Sequence, residues 1–459
     1  MTTEAGRHFD KENNKKAGIN EYQGGEDFRI DDVSITSACG EVISVVDLFV
    51  SLELFEDIYS NTMSGKFTFL DTGNLPRYLP IMGQSEKITV KYNTPGGDPK
   101  QFDMFSYDVP TRKIHQAGRK QVYEISAITE DTYKDMHKKV SKTLTGSITE
   151  MIESVFKEFK TKKKLEILTP TDDTEHRFII PYWSPFATIN WLCSRAKGKN
   201  ANACNFVFYE DRESYKLTTL EELYKQDPPA MEYLFYPKKW RDDPAMDRDT
   251  SREFINVFKL DVLDNGNRLQ QIRNGMFASN VLTYDLVTKI HKKTEYKLKE
   301  KFSKTKHIET NYPISERLDK YSDETDSLYL FRPKHTQLHS KNELGDTAEQ
   351  VTISDNDEYE KWILNRTSLM EQASNKRIAL TSNGDSRIKV GDVIFLSMFG
   401  IEPATGSKPS KDPLLSGRYL ITAINHQINR DGYNQVFEIS KDAELEPVTS
   451  ALKDAPKPE

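Results

Sequence analysis

The chain has 459 residues, with 64 Lys and Arg against 71 Asp and Glu and a formal net charge of −7. At roughly 100–200 residues per domain this length accommodates two to four domains and excludes one small disulfide-stapled scaffold. Twenty-three Phe and 21 Tyr exclude a wholly disordered chain, because disorder goes with few aromatics and low hydrophobicity. The amino terminus lacks the apolar stretch of a secretory signal, and no run approaches the roughly 18–20 apolar residues that span a bilayer, so the expectation is a soluble, cytosolically made protein without membrane insertion. Cys39, Cys193 and Cys204 have neither paired-Cys nor His-rich spacing, which predicts reduced, buried thiols and no zinc site. An acidic balance (pI ≈ 5.9) argues against broad adhesion to nucleic acid, which needs Lys and Arg to neutralise phosphates.

Residues 1–27 and 447–459 are polar and aperiodic, and read as tails. From Val46 to Leu54, Val46, Leu48, Val50, Leu52 and Leu54 alternate with other residues, predicting a strand with that set buried. Lys66–Leu70 is a short aromatic strand closed by Asp71-Thr72-Gly73-Asn74, and Ile88, Val90 and Tyr92 alternate with lysines up to the turn Pro95-Gly96-Gly97. Residues 28–140 therefore read as a first tube-like antiparallel barrel. Ser147 and Glu150 form a capping box ahead of Ile148, Met151, Ile152, Val155, Phe156 and Phe159 at helical spacing. A second helix starts at Ser184-Pro185, with Phe186, Ile189, Leu192, Cys193 and Ala196 inward, and Asn205–Tyr209 follows as an aromatic strand closed by Asp211-Arg212-Glu213-Ser214. Residues 141–250 read as a second tube-like unit carrying helices.

Residues 251–357 read as connecting segments plus a polar insertion. Val257–Leu260 is a strand before the turn Asp264-Asn265-Gly266-Asn267, and 303–357 is either a surface excursion or a stretch hiding short elements. A helix around Tyr359–Ser374 then opens a small β-barrel domain over 358–446. One echo joins distant hairpins: Gln121-Val122-Tyr123-Glu124-Ile125-Ser126 matches Gln435-Val436-Phe437-Glu438-Ile439-Ser440 at five of six positions, which suggests common descent. The fold class is thus β-rich α+β: two tube-like antiparallel β-barrel domains with packed helices, plus a small C-terminal β-barrel domain.

The chain carries no recognisable catalytic, cofactor-binding or metal-binding set. Ser64-Gly65-Lys66-Phe67 lacks the glycines of a phosphate loop, Gly384-Asp385-Ser386 reads as a polar turn, and Asp355-Asn356-Asp357 reads as a solvated turn or cap. The histidines are dispersed. The lysines Lys289, Lys292, Lys293, Lys297, Lys299, Lys301, Lys304 and Lys306 read as a solvated helix face, because Glu295 and Glu300 supply partners; nucleic-acid contact is the alternative.

Glu56–Tyr59 through Met63–Phe67 and Pro80–Gln84 resemble the first barrel of baseplate hub proteins from contractile-tailed bacteriophages. Ser184–Ala196 with Asn205–Tyr209 resembles the second barrel, and Gly275–Asp285 and Leu415–Thr422 resemble later hub segments. The resemblance implies a structural, non-enzymatic subunit of a homotrimeric pseudo-sixfold ring. Such a ring joins a tail tube, or tube-initiator protein, to a trimeric spike and leaves a channel for DNA. Wedge or sheath-side baseplate proteins are further partners, and the location is the virion baseplate, assembled in the host cytoplasm. The alternatives are a cell-wall-degrading baseplate component and a glycan- or nucleic-acid-binding β protein.

Overall fold

A computed structural model describes residues 28–447 except 38–39, 74, 76–78, 80, 95–98, 115–119, 200–202, 228, 237–254, 287–288, 323, 335–358, 400–410 and 431. Residues 1–27 and 448–459 of the two predicted tails, Cys39, Asp355–Asp357 and the turn at Pro95–Gly97 lie outside the described residues.

The amino-terminal strands are β1 (Arg29–Thr36), β2 (Val42–Ser44), β3 (Phe49–Asp57), β4 (Ser64–Asp71), β5 (Lys87–Asn93), β6 (Lys100–Ile114) and β7 (Gln121–Ile128). The predicted period-two strand begins later than expected. Val46–Leu48 is a turn of 3₁₀ helix, and a β-bulge between Phe49 and Ser51 shifts the alternation, so Phe49, Leu52 and Leu54 face the core while Val50 is exposed. A middle unit follows: α1 (Glu130–His137), β8 (Val140–Gly146), α2 (Ile148–Phe159), β9 (Lys164–Ile167), β10 (His176–Trp183), α3 (Pro185–Arg195), β11 (Phe206–Glu210), β12 (Ser214–Thr219) and α4 (Leu220–Leu223). Both caps form as read: the Ser147 hydroxyl accepts from the Glu150 amide with the reciprocal bond present, and Ser184 accepts from Ala187 ahead of Pro185. All six apolar positions assigned to α2 are buried, because they line the one stripe that meets the α3 and β11–β12 aromatics.

The remainder comprises β13 (Met231–Phe235), β14 (Val257–Asp264), α5 (Arg268–Arg273), β15 (Ala278–Asp285), β16 (His291–Lys297), α6 (Leu298–Lys301), α7 (Glu316–Ser322), β17 (Tyr329–Lys334), α8 (Tyr359–Ala373), β18 (Lys376–Asn383), β19 (Val393–Met398), β20 (Gly417–Asn429) and β21 (Tyr433–Lys441). The polar stretch after residue 303 does hide short elements, α7 and β17 among them. The expected lysine helix is a correction. His291–Lys297 is a strand paired with β15, its Tyr296 buried, and only the four residues of α6 are α-helical. The β15 pairing partner outweighs the local helix propensity of lysines.

Thirteen strands form one sheet, ordered β14-β18-β21-β20-β3-β4-β7-β6-β5-β1-β2, with β19 and β13 branching from β20. Within it one pattern occurs twice: β3-β4-β7-β6-β5 and β14-β18-β21-β20-β19 have the same neighbours in the same antiparallel sense. The hairpin echo fixes the equivalence. Phe67 and Phe69 stand opposite Ile125 and Tyr123, and Ile378 and Leu380 stand opposite Ile439 and Phe437, all eight buried. The copies differ at their flanks, where β1 runs antiparallel to β5 but β13 runs parallel to β19.

The second copy of the five-strand pattern falls outside 141–250, the stretch read from sequence as the second unit. Residues 140–219 hold two- and three-stranded sheets covered by α2 and α3, with their own aromatic core, and do not repeat the β3–β7 pattern. The partner is built from β14 and β18–β21, which are separated in sequence by β15–β17 and α8. Helical periodicity dominates 141–200, whereas the repeat is stored in strand pairing, which is non-local. The two copies meet edge to edge, β20 pairing with β3 from Ala423–Asp57 to Asn429–Ser51.

Candidate assembly site: a buried ionic junction and two open sheet edges

At the β3–β20 joint, alternation along β3 places Glu56 on the core side after Leu52 and Leu54, a carboxylate where an apolar residue would ordinarily sit. Its partner is Arg212, delivered by the β11–β12 turn of the middle unit, with Nε 2.6 Å from Glu56 Oε1. The rest of the guanidinium donates to the carbonyls of Ser386 and Ile388, the latter at 2.9 Å. His426 of β20 stands 3.3 Å from the same carboxylate oxygen through Nε2. Its Nδ1 meets Tyr433 Oη at 2.7 Å and the Gln435 amide at 3.2 Å. Nε2 also lies 3.3 Å from Arg212 Nη2, so the imidazole packs against both members of the ion pair. One buried cluster therefore ties the first repeat, the second repeat and the middle unit together.

The electrostatics follow from this geometry. Burial alone would raise the Glu56 pKa, but Arg212 and His426 overcome it and hold the carboxyl far below the usual range. Burial and the neighbouring guanidinium hold His426 neutral, below its ordinary 6.5. Both groups are lowered on folding, so below about pH 6.5 the unfolded chain binds more protons and stability falls as pH drops. His307, raised above 6.5 by its 2.6 Å contact with Asp442 despite burial, has the opposite sign: its contribution is complete on the acid side and is lost as pH rises. Denaturant titrations at pH 5.5 and 7.5 will show His426→Gln losing less stability on acidification than wild type. His307→Gln will lose less on the alkaline side.

A second junction lies beside it. The β3–β4 turn docks on the middle unit, where Met63 donates its amide to Glu210 at 3.0 Å and Thr129 donates to the same carboxylate at 3.1 Å. Lys163 is the counter-ion at 2.9 Å. Asn61 and Asn190 exchange amide hydrogen bonds of 2.9 and 2.7 Å.

The residues singled out from sequence fall as follows. Ser386 is buried, its hydroxyl 2.5 Å from Thr94 Oγ1, and Asp385 is held by Arg387, so Gly384–Ser386 is a packed structural turn. Gly384 is required there because a Cβ would stand 2.1 Å from the Tyr433 ring. Gly384→Ala must displace that ring and with it the His426 contact, an overpacking cost of about 1–3 kcal/mol readable in a urea melt. Cys193 and Cys204 are buried and reduced; burial first of all pushes their thiols up to about 12 and about 11. The lysine cluster is dispersed among counter-charges: Lys292 meets Glu360, Lys293 meets Glu295 and Lys299 meets Asp319. Among the described residues no His, Cys, Asp and Glu group has metal-ligating geometry, and no helix is long and apolar enough to cross a membrane. Sequence reasoning missed Arg212, taken only as a turn residue; the available signal was the charged Glu56 in an apolar alternation.

The sheet leaves two comparable edges unpaired among the described residues. One is the outer edge of β14 beyond Val257, past the single parallel bridge of Asn256 to Leu234 of β13. The other is β6 beyond Ser106, because β5 pairs only with Lys100–Phe105 and β7 takes the opposite side. Val262 of β14 is 44% exposed, whereas its counterpart Leu52, covered at the β3–β20 joint, is 0% exposed.

No family model matches the chain. It is 22% identical over 410 residues, covering 88% of this chain and 92% of the relative, to the probable baseplate hub protein gp334 of Vibrio phage KVP40. Among solved structures, the 43 kDa tail protein of prophage MuSo2 from Shewanella oneidensis aligns with a TM-score of 0.52 and 11% identity over 90% of this chain and 99% of that one. A tail protein from Neisseria meningitidis MC58 aligns with a TM-score of 0.51 and 11% identity over 90% and 97%. The fold is that of phage tail proteins, strand-rich as the sequence reading expected, and the resemblance to baseplate hubs is borne out.

Proposed function

We propose that this chain is a structural subunit of a phage baseplate hub, a homotrimer of pseudo-sixfold symmetry between the tail tube and the central spike. The observation that carries the reading is the duplicated five-strand pattern with its internal edge-to-edge joint. Because β14 is equivalent to β3 and β6 to β20, the joint that binds the two halves within one chain is offered again between chains, β14 of one copy meeting β6 of the next. A heterologous contact repeated by a closing rotation makes a ring, and three chains of two similar units give six nearly equivalent positions. The edges invite this, since unpaired strand donors and acceptors otherwise seek partners indiscriminately.

In this reading the tube-like units are β1–β7 and β13–β14 with β18–β21, and the middle unit and β15–β17 face neighbouring baseplate proteins. Six positions suit a hexameric tube and three chains suit a trimeric spike, with DNA passing along the axis. The protein resides in the virion tail after assembly in the host cytoplasm. Support comes from the similarity to a probable baseplate hub protein along most of both chains. Solution mass with negative-stain imaging tests it: the expected result is three chains in an annulus with an open axis. A stable monomer that degrades cell-wall fragments would overturn it.

A further inference from the structure

Apart from the main sheet, β16-β15-β17 is a separate three-stranded sheet, and the outer edge of β16 is unpaired among the described residues. The ladder decides which backbone groups that edge offers. Asp285 donates its amide to the Ile290 carbonyl and Leu298 donates to Phe277, so Ile290, Lys292, Thr294, Tyr296 and Leu298 turn their backbone groups toward β15. The N–H and C=O groups of His291, Lys293, Glu295 and Lys297 therefore point outward. Because Tyr296 is buried, the side chains of these four share the opposite, solvent-facing side, where Lys293 and Glu295 are 41% and 50% exposed. The edge is cationic on an acidic chain. From Lys289 to Lys306 there are eight lysines and two glutamates, and Glu360 and Asp319 reach in from elsewhere. The ammonium groups of Lys289, Lys297, Lys304 and Lys306 meet no carboxylate among the described residues.

We propose that β16 is a docking strand for an acidic, extended segment of another protein, which adds a fourth strand to this sheet. The inference rests on the reading above in which β15–β17 face neighbouring baseplate proteins, and it names the chemistry of the segment they present. Lysines on an edge strand guard it against indiscriminate pairing, since a neutral strand desolvates them without compensation and a second copy of this chain brings an equal surplus of lysines against them. An acidic strand meets neither obstacle, so the same lysines that repel other strands select it. Backbone pairing with the four outward-facing residues supplies the affinity, and charge supplies the choice. Lys293 and Lys297 flank Glu295 on one side of the strand, and opposite charges are favoured directly across a ladder, so the segment carries acid, neutral or basic, then acid at alternate positions. Nucleic acid offers the charge but no row of donors and acceptors at strand spacing.

The test uses the full-length chain and a fluorescently labelled threonine peptide of nine residues with glutamate at its third and seventh places and lysine at its fifth. Its charge-reversed twin and a single-stranded oligonucleotide are the comparisons, all read by anisotropy at low salt. Wild type is expected to bind the glutamate-rich peptide at least about tenfold more tightly than the twin, and Lys293→Glu with Lys297→Glu to reverse that preference. Glu295→Pro removes one outward amide while leaving the β15 ladder and every lysine in place, a position at which an edge strand tolerates proline, and is expected to abolish binding with circular dichroism unchanged. Should that variant not fold, hydrogen exchange over His291–Lys297 in the wild type gives the same answer, the bound peptide being expected to slow it. Tighter binding of the oligonucleotide, no preference for the acidic peptide, or binding that survives Glu295→Pro or leaves exchange at the edge unchanged overturns the assignment. Solution mass reports the ring separately, so either reading can fail without the other.

Discussion

Arg212→Met will destabilise the protein by about 3–5 kcal/mol, the cost of leaving a buried charge without its partner. Glu56 is fully buried, its second carboxylate oxygen has no hydrogen-bond partner in the described structure, and its other neighbour, His426, is held neutral by burial, so no second cation stands ready to replace the guanidinium. Removal of Arg212 also orphans the carbonyls of Ser386 and Ile388. Glu56→Leu combined with Arg212→Met will recover most of the loss, because the desolvation cost of the ion leaves with it. Urea unfolding of the wild type, both single variants and the double variant measures the coupling. A single-variant cost below about 1 kcal/mol would mean that water reaches Glu56 and that the junction is not closed. The cluster also joins three parts of the chain, since Glu56, His426 and Arg212 come from the two repeats and the middle unit.

In the proposed ring, Val262→Lys is expected to release single chains of unchanged secondary structure. Val262 lies on the open outer strand and is already nearly half exposed, so a lysine there is tolerated in the isolated chain. In the closed ring it would sit where Leu52 sits at the internal joint, fully covered, and burying an unpaired ammonium costs several kcal/mol at each of three joints. Edge lysines are a recognised means of blocking strand-to-strand association. Light scattering should show the mass fall about threefold while circular dichroism is unchanged. Retention of the wild-type mass would place the subunit contact elsewhere than on β14.

The helices of the middle unit were legible from sequence because their determinants are local. Ser147 with Glu150, and Ser184 with Pro185, announce the helix starts, and the apolar residues that follow recur at the spacing of one helical face. The short strands were legible for the same reason, except where a bulge at Phe49–Ser51 shifted the alternation by a residue, an event with no signature in composition. The lysine stretch misled because its partner strand, β15, decides its conformation.

The Gln121–Ser126 and Gln435–Ser440 echo was the one sequence feature that already pointed across the molecule, and it names the true repeat: β7 and β21 are equivalent central strands. By itself the sequence determined the period of each element, the caps, and this duplicated hairpin. Only the tertiary structure decided that β14 joins β18–β21 across some 110 intervening residues, that β20 pairs with β3, and that a turn arginine becomes the counter-ion of Glu56. Periodicity and capping are energies paid within a few residues of chain, whereas strand neighbours and buried ion pairs are settled by burial and backbone hydrogen bonding between distant segments, to which local pattern is blind.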